Sequence, residues 1–454
     1  MVYRTLNPAT EELIKTYPEI GWDEVKRRAE KSQEAFRQWR KSSLPHRREL
    51  FIKLAKRLRE EKSRHATIMT MEMGKPIVEA ETEIEKCALG CEFYAENSEN
   101  FLKEERLQSD ASKSYVRFDP LGTILIIMPW NFPYWQAFRC SIPAIMAGNA
   151  VLLKHAPNVP DTALHIESLY REAGFPEGLF QNLFCSNEVA AQLIESPYIE
   201  GVSLTGSTRA GSQVASVAGK SIKKTVLELG GSDPFIVFPD ADLEKCIPMA
   251  LRSRFLNAGQ SCIAAKRFII TQEIAPAFEE KFLQAIVAQK VGNPMERETK
   301  IGPMAREDLV ENLSRQVEES KKKGAVCLTG GTRRPGKGYF YQPTFLKEVQ
   351  SEMVVCKEET FGPVASMIVV KNEEEAIDLA NRTPYGLGAS IWTRNTHRAE
   401  EIAKGIDAGN VFINGMTKSD PRLPFGGSKR SGYGRELSVF GIREFTNIKT
   451  VWIA

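Results

Sequence analysis

Cys262 is the residue of this sequence whose type and setting most readily suggest covalent chemistry. It ends the segment Asn257–Cys262, whose small and polar residues leave backbone N–H groups open near the sulfur. A thiol becomes a strong nucleophile when its pKa falls below the ordinary value of about 8.5, and nearby donors favour the thiolate. Most cysteines are simply buried as small apolar side chains, and this alternative stays open for Cys262 on local evidence.

Two further polar residues have settings that suit acid–base and oxyanion chemistry. Glu228 lies in an apolar strand pattern that ends in two glycines. Burial there would raise its pKa and suit a general base. Asn131 lies between two prolines in an aromatic loop, where a fixed amide could donate to an oxyanion. Glu228 could instead face water from an alternating strand, and Asn131 could be an ordinary turn residue.

A segment that could receive phosphate follows the predicted strand Gly201–Leu204. Gly206 allows close backbone approach, and Ser207 supplies a hydroxyl group and a helix N-cap. The next helix would then present its N-terminal N–H groups to a phosphate. The sequence has no convincing G-x-G-x-x-G motif after a strand, and an ordinary capped turn explains these residues equally well.

The elements that must position these residues alternate between strand and helix. Residues 22–105 have helical spacing and precede this alternation. The first series of predicted strands is Thr123–Met128, Ala150–Lys154, Gly201–Leu204 and Lys224–Leu229. The second series is Phe235–Phe238, Arg267–Thr271, Ala325–Leu328, Val364–Val370, Ala389–Trp392 and Asn410–Ile413. Such alternation predicts βαβ units and parallel sheets, so we predict an α/β protein with two Rossmann-like open-sheet domains.

Two predicted strands have no obvious partner in either series. They are residues 114–122, with a turn at their end, and Thr446–Ile453. Edge strands often pair between subunits, so these two segments predict a small β element for oligomerisation.

Composition excludes several classes of protein. The 454 residues are 42% apolar and 26% charged, as in globular proteins, and the net charge of +3 gives no basic surface for nucleic acid. The apolar run Gly122–Pro129 is too short to cross a bilayer. The eight cysteines lack the spacing of a metal site. Met1–Thr10 has no apolar signal segment, so we expect a cytoplasmic protein with reduced thiols, without metal, membrane or nucleic-acid partners.

Taken together, these features resemble the aldehyde dehydrogenase superfamily over nearly the whole chain. The matching segments, in order, are Pro129–Pro133, Lys154, Gly206–Gly211, Leu227–Gly231, Phe255–Cys262, Glu358–Pro363 and Pro424–Gly427. The resemblance implies a nicotinamide cofactor-binding domain formed by residues 1–110 and 123–231, and a catalytic domain formed by residues 232–430. It also implies that residues 111–122 and 431–454 assemble a homodimer or homotetramer.

The resemblance also implies catalytic roles. Cys262 would be the nucleophile, Glu228 the base for deacylation, and Asn131 with the Cys262 backbone N–H the oxyanion hole. The thiolate would add to the aldehyde, hydride would pass to the nicotinamide, and water activated by Glu228 would hydrolyse the thioester. This family chemistry requires no metal.

The cofactor-binding residues implied by the resemblance are Trp130, Lys154, Pro157, Gly206, Ser207, Glu359 and Phe361. Lys154 would hold the adenosine ribose, Ser207 would contact the pyrophosphate, and Glu359 would hold the nicotinamide ribose with Phe361 packed beside it. NAD-preferring relatives often carry a glutamate where this chain has Pro157. Because no carboxylate repels a 2′-phosphate there, we predict that NADP is preferred and NAD is also accepted.

Arg139 and Ser419 resemble the residues with which succinate-semialdehyde dehydrogenases hold the distal carboxylate of the substrate. The resemblance therefore implies oxidation of succinate semialdehyde to succinate. Some relatives carry a second arginine where this chain has Leu256, so the anion would be held less firmly, and many carry lysine where this chain has Cys140. Arg139 could alternatively form a structural salt bridge.

Other functions remain open at this point. The aldehyde could be glutarate semialdehyde or an aromatic aldehyde, or the chain could keep the fold as a non-catalytic structural protein. Transfer of the acyl group to coenzyme A is a weaker alternative, because Glu228 favours hydrolysis.

Overall fold

Two open, mostly parallel sheets and three smaller antiparallel sheets organise the chain. The structure, a computed structural model, describes residues 3–454; Met1 and Val2, where the first predicted domain begins, lie outside the described residues. The strands are β1 (Tyr3–Asn7), β2 (Glu12–Tyr17), β3 (Glu105–Arg106), β4 (Lys113–Pro120), β5 (Thr123–Met128), β6 (Ala150–His155), β7 (Phe180–Asn182), β8 (Gly201–Thr205), β9 (Lys224–Glu228), β10 (Asp233–Val237), β11 (Ala265–Thr271), β12 (Val326–Thr329), β13 (Thr344–Lys347), β14 (Val364–Val370), β15 (Tyr385–Gly386), β16 (Gly388–Trp392), β17 (Asn410–Ile413), β18 (Ser428–Lys429), β19 (Gly432–Tyr433) and β20 (Thr446–Ile453).

The helices pack on both faces of the large sheets and along the N-terminal region. They are α1 (Trp22–Trp39), α2 (Leu44–Glu60), α3 (Lys62–Met73), α4 (Ile77–Leu102), α5 (Pro133–Ala147), α6 (Pro160–Glu172), α7 (Asn187–Glu195), α8 (Thr208–Lys220), α9 (Leu243–Phe255), α10 (Ala275–Val287), α11 (Glu307–Lys322), α12 (Val354–Lys357), α13 (Glu373–Asn381), α14 (Thr396–Lys404) and α15 (Ser438–Glu444). The prediction that residues 22–105 are mostly helical is confirmed by α1 to α4.

The first open sheet has the strand order β19-β9-β8-β5-β6-β7. From β9 to β7 its strands run parallel, and β5, β6 and β8 are almost completely buried. Strands covered on both faces become continuous apolar runs, which is why these strands were predictable from the sequence. The short edge strand β7 was not predicted, because three residues carry no periodic signal.

The second open sheet has the order β12-β13-β14-β11-β10-β16-β17. Its strands are parallel except for β12, which pairs antiparallel with β13. The two predicted strand series are therefore confirmed as two sheets. Strand β13, between two predicted strands, was missed.

The third sheet, with the order β20-β4-β3, contains both segments for which the sequence showed no partner. Strand β20 pairs antiparallel with β4 over its whole length, from Thr446 opposite Pro120 to Ile453 opposite Lys113. The two segments without an obvious partner thus pair with each other within the chain. The boundaries also shift: β3 adds residues 105–106 to this sheet, whereas β19 joins the first open sheet through β9.

The core surrounding the first sheet extends across α2 to α6 and to α15 at the other end of the chain. Helix α4 lies against α5, the helix that follows β5, and this contact places residues of both helices next to the loop 129–133. Along residues 3–454, no helix is long and apolar enough to cross a membrane.

Candidate active site

Cys262 lies in the short connection between α9 and β11, just after a 3₁₀ turn at Leu256–Gly259. Asn257 and Ala258 have φ angles of 54° and 53°, a left-handed conformation that costs energy for residues other than glycine. The turn is nevertheless fixed on both sides. The Asn257 N–H donates to the partly buried Glu79 carboxylate at 2.8 Å, and the Arg254 guanidinium donates to the Gly259 carbonyl at 2.8 Å. Strained backbone held this firmly is typical of a functional site.

Lys266 fixes the peptide groups next to the sulfur. Its fully buried ammonium donates to the carbonyl oxygens of Ser261 at 2.8 Å and Cys262 at 2.6 Å. It also lies 3.4 Å from the Glu359 carboxylate. Sequence reasoning missed Lys266, because a lysine next to a strand usually lies at the surface.

The pKa of the Cys262 thiol differs from the value expected from the sequence. Open backbone donors were expected to lower its pKa, but burial instead raises the pKa of Cys262 to about 12, against the opposing charges of Lys266 and Arg139. The thiol is therefore protonated in this structure, and the thiolate needs a base that takes the proton.

Asn131 lies directly beside the cysteine loop. Its side-chain amide donates to the Gln260 carbonyl at 3.0 Å and accepts from Gln136 at 3.1 Å. Asn257 donates to the Asn131 backbone carbonyl at 2.7 Å and so ties the two loops together. An amide nitrogen carries two N–H groups, so one remains to donate to an oxyanion.

A buried histidine anchors the Asn131 loop from the other side. One His155 ring nitrogen lies 2.9 Å from the Pro133 carbonyl, and the other accepts from the Ala156 N–H at 2.9 Å. Burial lowers the pKa of His155 to about 4, so the ring is neutral. His155 thus positions the start of α5.

Glu228 ends β9 and is buried, so the alternative in which it faces water is wrong. Neither of its carboxyl oxygens has a hydrogen-bond partner among residues 3–454. Burial raises the pKa of Glu228 well above its usual value, and the nearby Glu436 raises it further against the charges of Arg139 and Arg435. A buried carboxyl group with a raised pKa is suited to accept and return a proton near neutral pH.

Arg139 forms a buried ion pair with Glu436, and each side chain is only 4% exposed. Arg139 also donates to the Thr205 hydroxyl at 3.2 Å, and its guanidinium lies 4.9 Å from the centre of the Phe425 ring. Arg139 therefore forms the structural salt bridge that the sequence left as an alternative. Its partner, Glu436, was not identified from the sequence. Burial acts to lower the pKa of Arg139, but Glu436, Glu228 and Cys262 raise it overall. Arg139 therefore lies close enough to interact electrostatically with the two reactive residues, Glu228 and Cys262.

Ser419 accepts hydrogen bonds from two side chains. The donors are the Trp135 indole at 2.8 Å and the Lys86 ammonium at 2.7 Å. Trp135 and Arg139 are four residues apart on α5 and therefore lie on the same helix face. The predicted residues Arg139 and Ser419 thus approach one another around Trp135, and Lys86 is a further residue that the sequence did not single out.

The predicted cofactor-binding residues line the end of the first open sheet. Ser207 caps α8 by accepting from the Ala210 N–H at 3.2 Å, so the predicted helix N-terminus is formed. Lys154 is buried at the end of β6, where burial lowers its pKa. Pro157 follows in the next loop, and a Cβ at Gly206 would meet only Leu204 at 3.5 Å.

Glu359 lies between these residues and the cysteine. It accepts from the Gly231 N–H at 3.1 Å. A Cβ at Gly231 would lie 2.6 Å from the Cys262 backbone carbonyl, so this position requires glycine, whereas a Cβ at Gly230 would lie 2.5 Å from the Glu359 carboxylate and would displace that side chain. The Phe361 ring packs edge-on against Trp130, with 5.8 Å between ring centres.

These residues fit a nicotinamide dinucleotide. The helix N-terminus at Ser207 suits a pyrophosphate, and the Glu359 carboxylate suits ribose hydroxyl groups. Within residues 3–454, no cluster of three or more His, Cys, Asp or Glu side chains could hold a metal ion.

Comparisons with known proteins agree with this arrangement. The sequence profile of the aldehyde dehydrogenase family matches residues 1–451. The chain is 49% identical over 454 residues to a probable succinate-semialdehyde dehydrogenase (NADP(+)) of Synechocystis, covering 100% of both chains. It is 45% identical to the succinate semialdehyde dehydrogenase (NAD(P)+) of Escherichia coli, covering 99% of this chain and 97% of that one.

A solved structure gives the same result for the fold. The succinic semialdehyde dehydrogenase of Streptococcus pyogenes, in complex with NADP+, superimposes with a TM-score of 0.97 at 37% identity, covering 99% of both chains. Fold and site therefore define an α/β dehydrogenase with a cysteine at its centre. The chain belongs to the aldehyde dehydrogenase family.

Proposed function

We propose that the protein oxidises succinate semialdehyde to succinate, with NADP preferred over NAD. The observation that carries the proposal is the placement of two buried residues around the partly exposed Cys262: Asn131 donates to the Gln260 carbonyl of the cysteine loop, and Glu228 lies close enough to Cys262 to influence the pKa of the thiol. The relatives named above, which share 45–49% of their residues with this chain along its length, support the same substrate and cofactor.

Cys262 attacks the aldehyde carbon in this mechanism, and Glu228 takes the thiol proton. The raised pKa of Glu228 supports this role, since its unpartnered oxygens have no competing hydrogen bond. The free N–H of Asn131 then donates to the oxyanion of the thiohemiacetal, together with the backbone N–H of Cys262. A bound oxidised nicotinamide supplies the hydride acceptor.

Glu228 must release the thiol proton to solvent before the second half of the reaction, because hydrolysis of the thioester again requires a base. Glu228 is suited to activate water, because its carboxyl group is desolvated and held between Glu436 and Arg139. Asn131 again donates to the tetrahedral oxyanion, and succinate leaves as Cys262 recovers its proton. Trp130 and Phe361 would exclude water from the region next to Glu359 until hydrolysis.

Lys154 and Pro157 support the preference for NADP. A buried ammonium near the adenosine ribose attracts a 2′-phosphate, and Pro157 places no carboxylate against it. NAD lacks this phosphate and gains nothing from the lysine charge beyond a hydrogen bond.

Assembly and location are part of the same proposal. Strand β20 is an edge strand with exposed apolar side chains at Ile448, Trp452 and Ile453, which would be covered in a homodimer or homotetramer. All eight cysteines are free thiols, as expected for a cytoplasmic protein.

The test is the appearance of reduced nicotinamide with succinate semialdehyde, measured with NADP and NAD in parallel. We expect turnover with both cofactors, a higher kcat/KM with NADP, and no turnover for Cys262→Ala. Turnover of butanal without turnover of succinate semialdehyde would overturn the proposed substrate. A preference for NAD above about tenfold in kcat/KM, or about 1.4 kcal/mol, would overturn the proposed preference for NADP.

A further inference from the structure

We infer that Lys86 is the free cation that binds the distal carboxylate of the semialdehyde, and that Arg139 mainly positions Glu436 and Glu228. This inference rests on the proposed function and deepens it. It assigns substrate specificity to a residue on α4 that lies outside the seven motif segments identified in the sequence.

Lys86 is held in place by uncharged groups. Its ammonium donates to the Ser419 hydroxyl at 2.7 Å and lies 4.3 Å from the centre of the Trp135 ring. Among the residues that the structure describes, no carboxylate lies within ion-pair distance of it: the nearby Glu83 pairs with Lys75, and Asp420 pairs with Arg422. A cation that the fold places in a site without an anion is poised to bind one.

Arg139 differs from Lys86 in this respect. Its charge is already balanced by Glu436, so a substrate carboxylate would have to compete with a buried ion pair. Lys86 needs no such exchange.

Ser419 completes the site with a donor of its own. Its oxygen accepts from both Lys86 and Trp135, so the hydroxyl hydrogen remains to donate. One carboxylate oxygen would accept from this hydroxyl group and from an N–H of Lys86. The ligand class is therefore a short aldehyde with a terminal carboxylate, and uncharged aldehydes gain nothing from the site.

The protonation of Lys86 gives this site a pH signature. Burial and the charge of Arg139 on α5 together lower its pKa to about 8, against Cys87 and Glu83 on α4 and Asp420 in the facing loop. The ammonium is therefore largely protonated at pH 7 and is lost progressively as the pH rises through 8. We expect the KM for succinate semialdehyde to increase as the pH is raised beyond 8, whereas the KM for butanal should stay constant.

The experiment compares Lys86→Met, Lys86→Arg and Lys103→Met with the wild-type enzyme, using succinate semialdehyde and butanal. Lys103 is an exposed lysine just beyond the same helix and serves as the matched control. For Lys86→Met we expect the ratio of kcat/KM for the two aldehydes to fall about 10- to 100-fold, mainly through KM. Lys86→Arg should keep most of the ratio and lose the rise in KM above pH 8, and Lys103→Met should change neither.

A binding measurement accompanies the kinetics. Succinate should inhibit butanal oxidation competitively in the wild-type enzyme and about 10-fold more weakly in Lys86→Met. An unchanged aldehyde ratio and unchanged succinate inhibition in Lys86→Met would overturn the role of Lys86 and leave the proposed function standing. No oxidation of succinate semialdehyde by the wild-type enzyme, with butanal oxidised, would overturn the proposed function itself.

Discussion

The Arg139 guanidinium and the Glu436 carboxylate form a buried ion pair next to the carboxyl group of Glu228. The negative charge of Glu436 raises the pKa of Glu228, and the positive charge of Arg139 opposes it. Burial is the main cause of the raised pKa of Glu228, and the two charges of the pair adjust it in opposite directions. A substitution in the pair should alter the pH dependence of the reaction.

Glu436→Gln should shift the acidic limb of the kcat profile to lower pH. Removing the negative neighbour lowers the pKa of Glu228, so its ionised form persists at lower pH. The variant should also lose about 3 kcal/mol of stability, because the buried Arg139 charge loses its partner. The measurements are kcat between pH 5 and pH 9 and unfolding in urea. An acidic limb that stays in place would contradict the coupling between Glu436 and Glu228.

The features that could be predicted from the sequence are the strands with a periodic or apolar pattern and the residues within family motifs. The central strands of both open sheets were predictable because buried parallel strands form apolar runs, as at Thr123–Met128. The roles of Cys262, Glu228 and Asn131 were predicted from the order of the family motifs, because the local sequence left an ordinary structural role open for each of them. That Arg139 lies close enough to Glu228 and Cys262 to interact with their charges was not visible in the sequence.

The residues that were missed act through long-range contacts. Lys86 and Ser419 are separated by 333 residues along the chain, and nothing in the local sequence of either residue indicates the other. The same holds for Lys266 beside Glu359 and for Glu436 beside Arg139. The pKa of Cys262 was predicted in the wrong direction because burial, which no local pattern reveals, outweighs the nearby donors and charges.

Alkylation of Cys262 should therefore be slow at neutral pH in the enzyme without cofactor. With a pKa of about 12, the thiolate fraction rises about tenfold for each pH unit, so the rate of reaction with iodoacetamide should increase from pH 7 to pH 10 without a plateau. Mass spectrometry of the modified peptide measures this rate. Cys327, the other partly exposed cysteine, provides the control: Cys327→Ala should keep full activity, and Cys262→Ala should have none. A plateau below pH 9 would contradict the effect of burial.

Asn131→Ala should lower kcat about 10²- to 10³-fold, because one donor to the oxyanion is lost. The KM should change little, since the oxyanion forms only after binding. Steady-state kinetics with succinate semialdehyde measure both values. Asn97→Ala, which removes an amide that donates only to the Phe93 carbonyl on α4, is the control and should behave like the wild-type enzyme. An equal loss in both variants would indicate that amide packing, and not oxyanion binding, causes the defect.

Pro157→Glu should reverse the cofactor preference. A carboxylate at this position would repel the 2′-phosphate of NADP and could accept hydrogen bonds from the ribose hydroxyl groups of NAD. We expect the ratio of kcat/KM for NADP to that for NAD to fall about 10-fold or more. Pro157→Gln introduces a side chain of the same length as glutamate but without the charge, and so distinguishes charge repulsion from a change of shape. This variant should change the ratio much less. Equal ratios for the two variants would show that charge at residue 157 does not decide the cofactor.

Gly230→Ala tests the close approach between the strand end and Glu359. A Cβ at Gly230 would lie 2.5 Å from a Glu359 carboxylate oxygen, so the carboxylate must move away from the position in which it accepts from Gly231 and lies near Lys266. Because Glu359 is placed to hold the ribose, the KM for NADP should rise about 10-fold or more, while the KM for the aldehyde changes less. The control is Gly219→Ala on α8, where a Cβ meets nothing within 4 Å and should stabilise the helix by about 0.5–1 kcal/mol. A KM for NADP that is equal in the two variants would remove Glu359 from the cofactor site, and a rise confined to Gly230→Ala would place its carboxylate against the bound ribose.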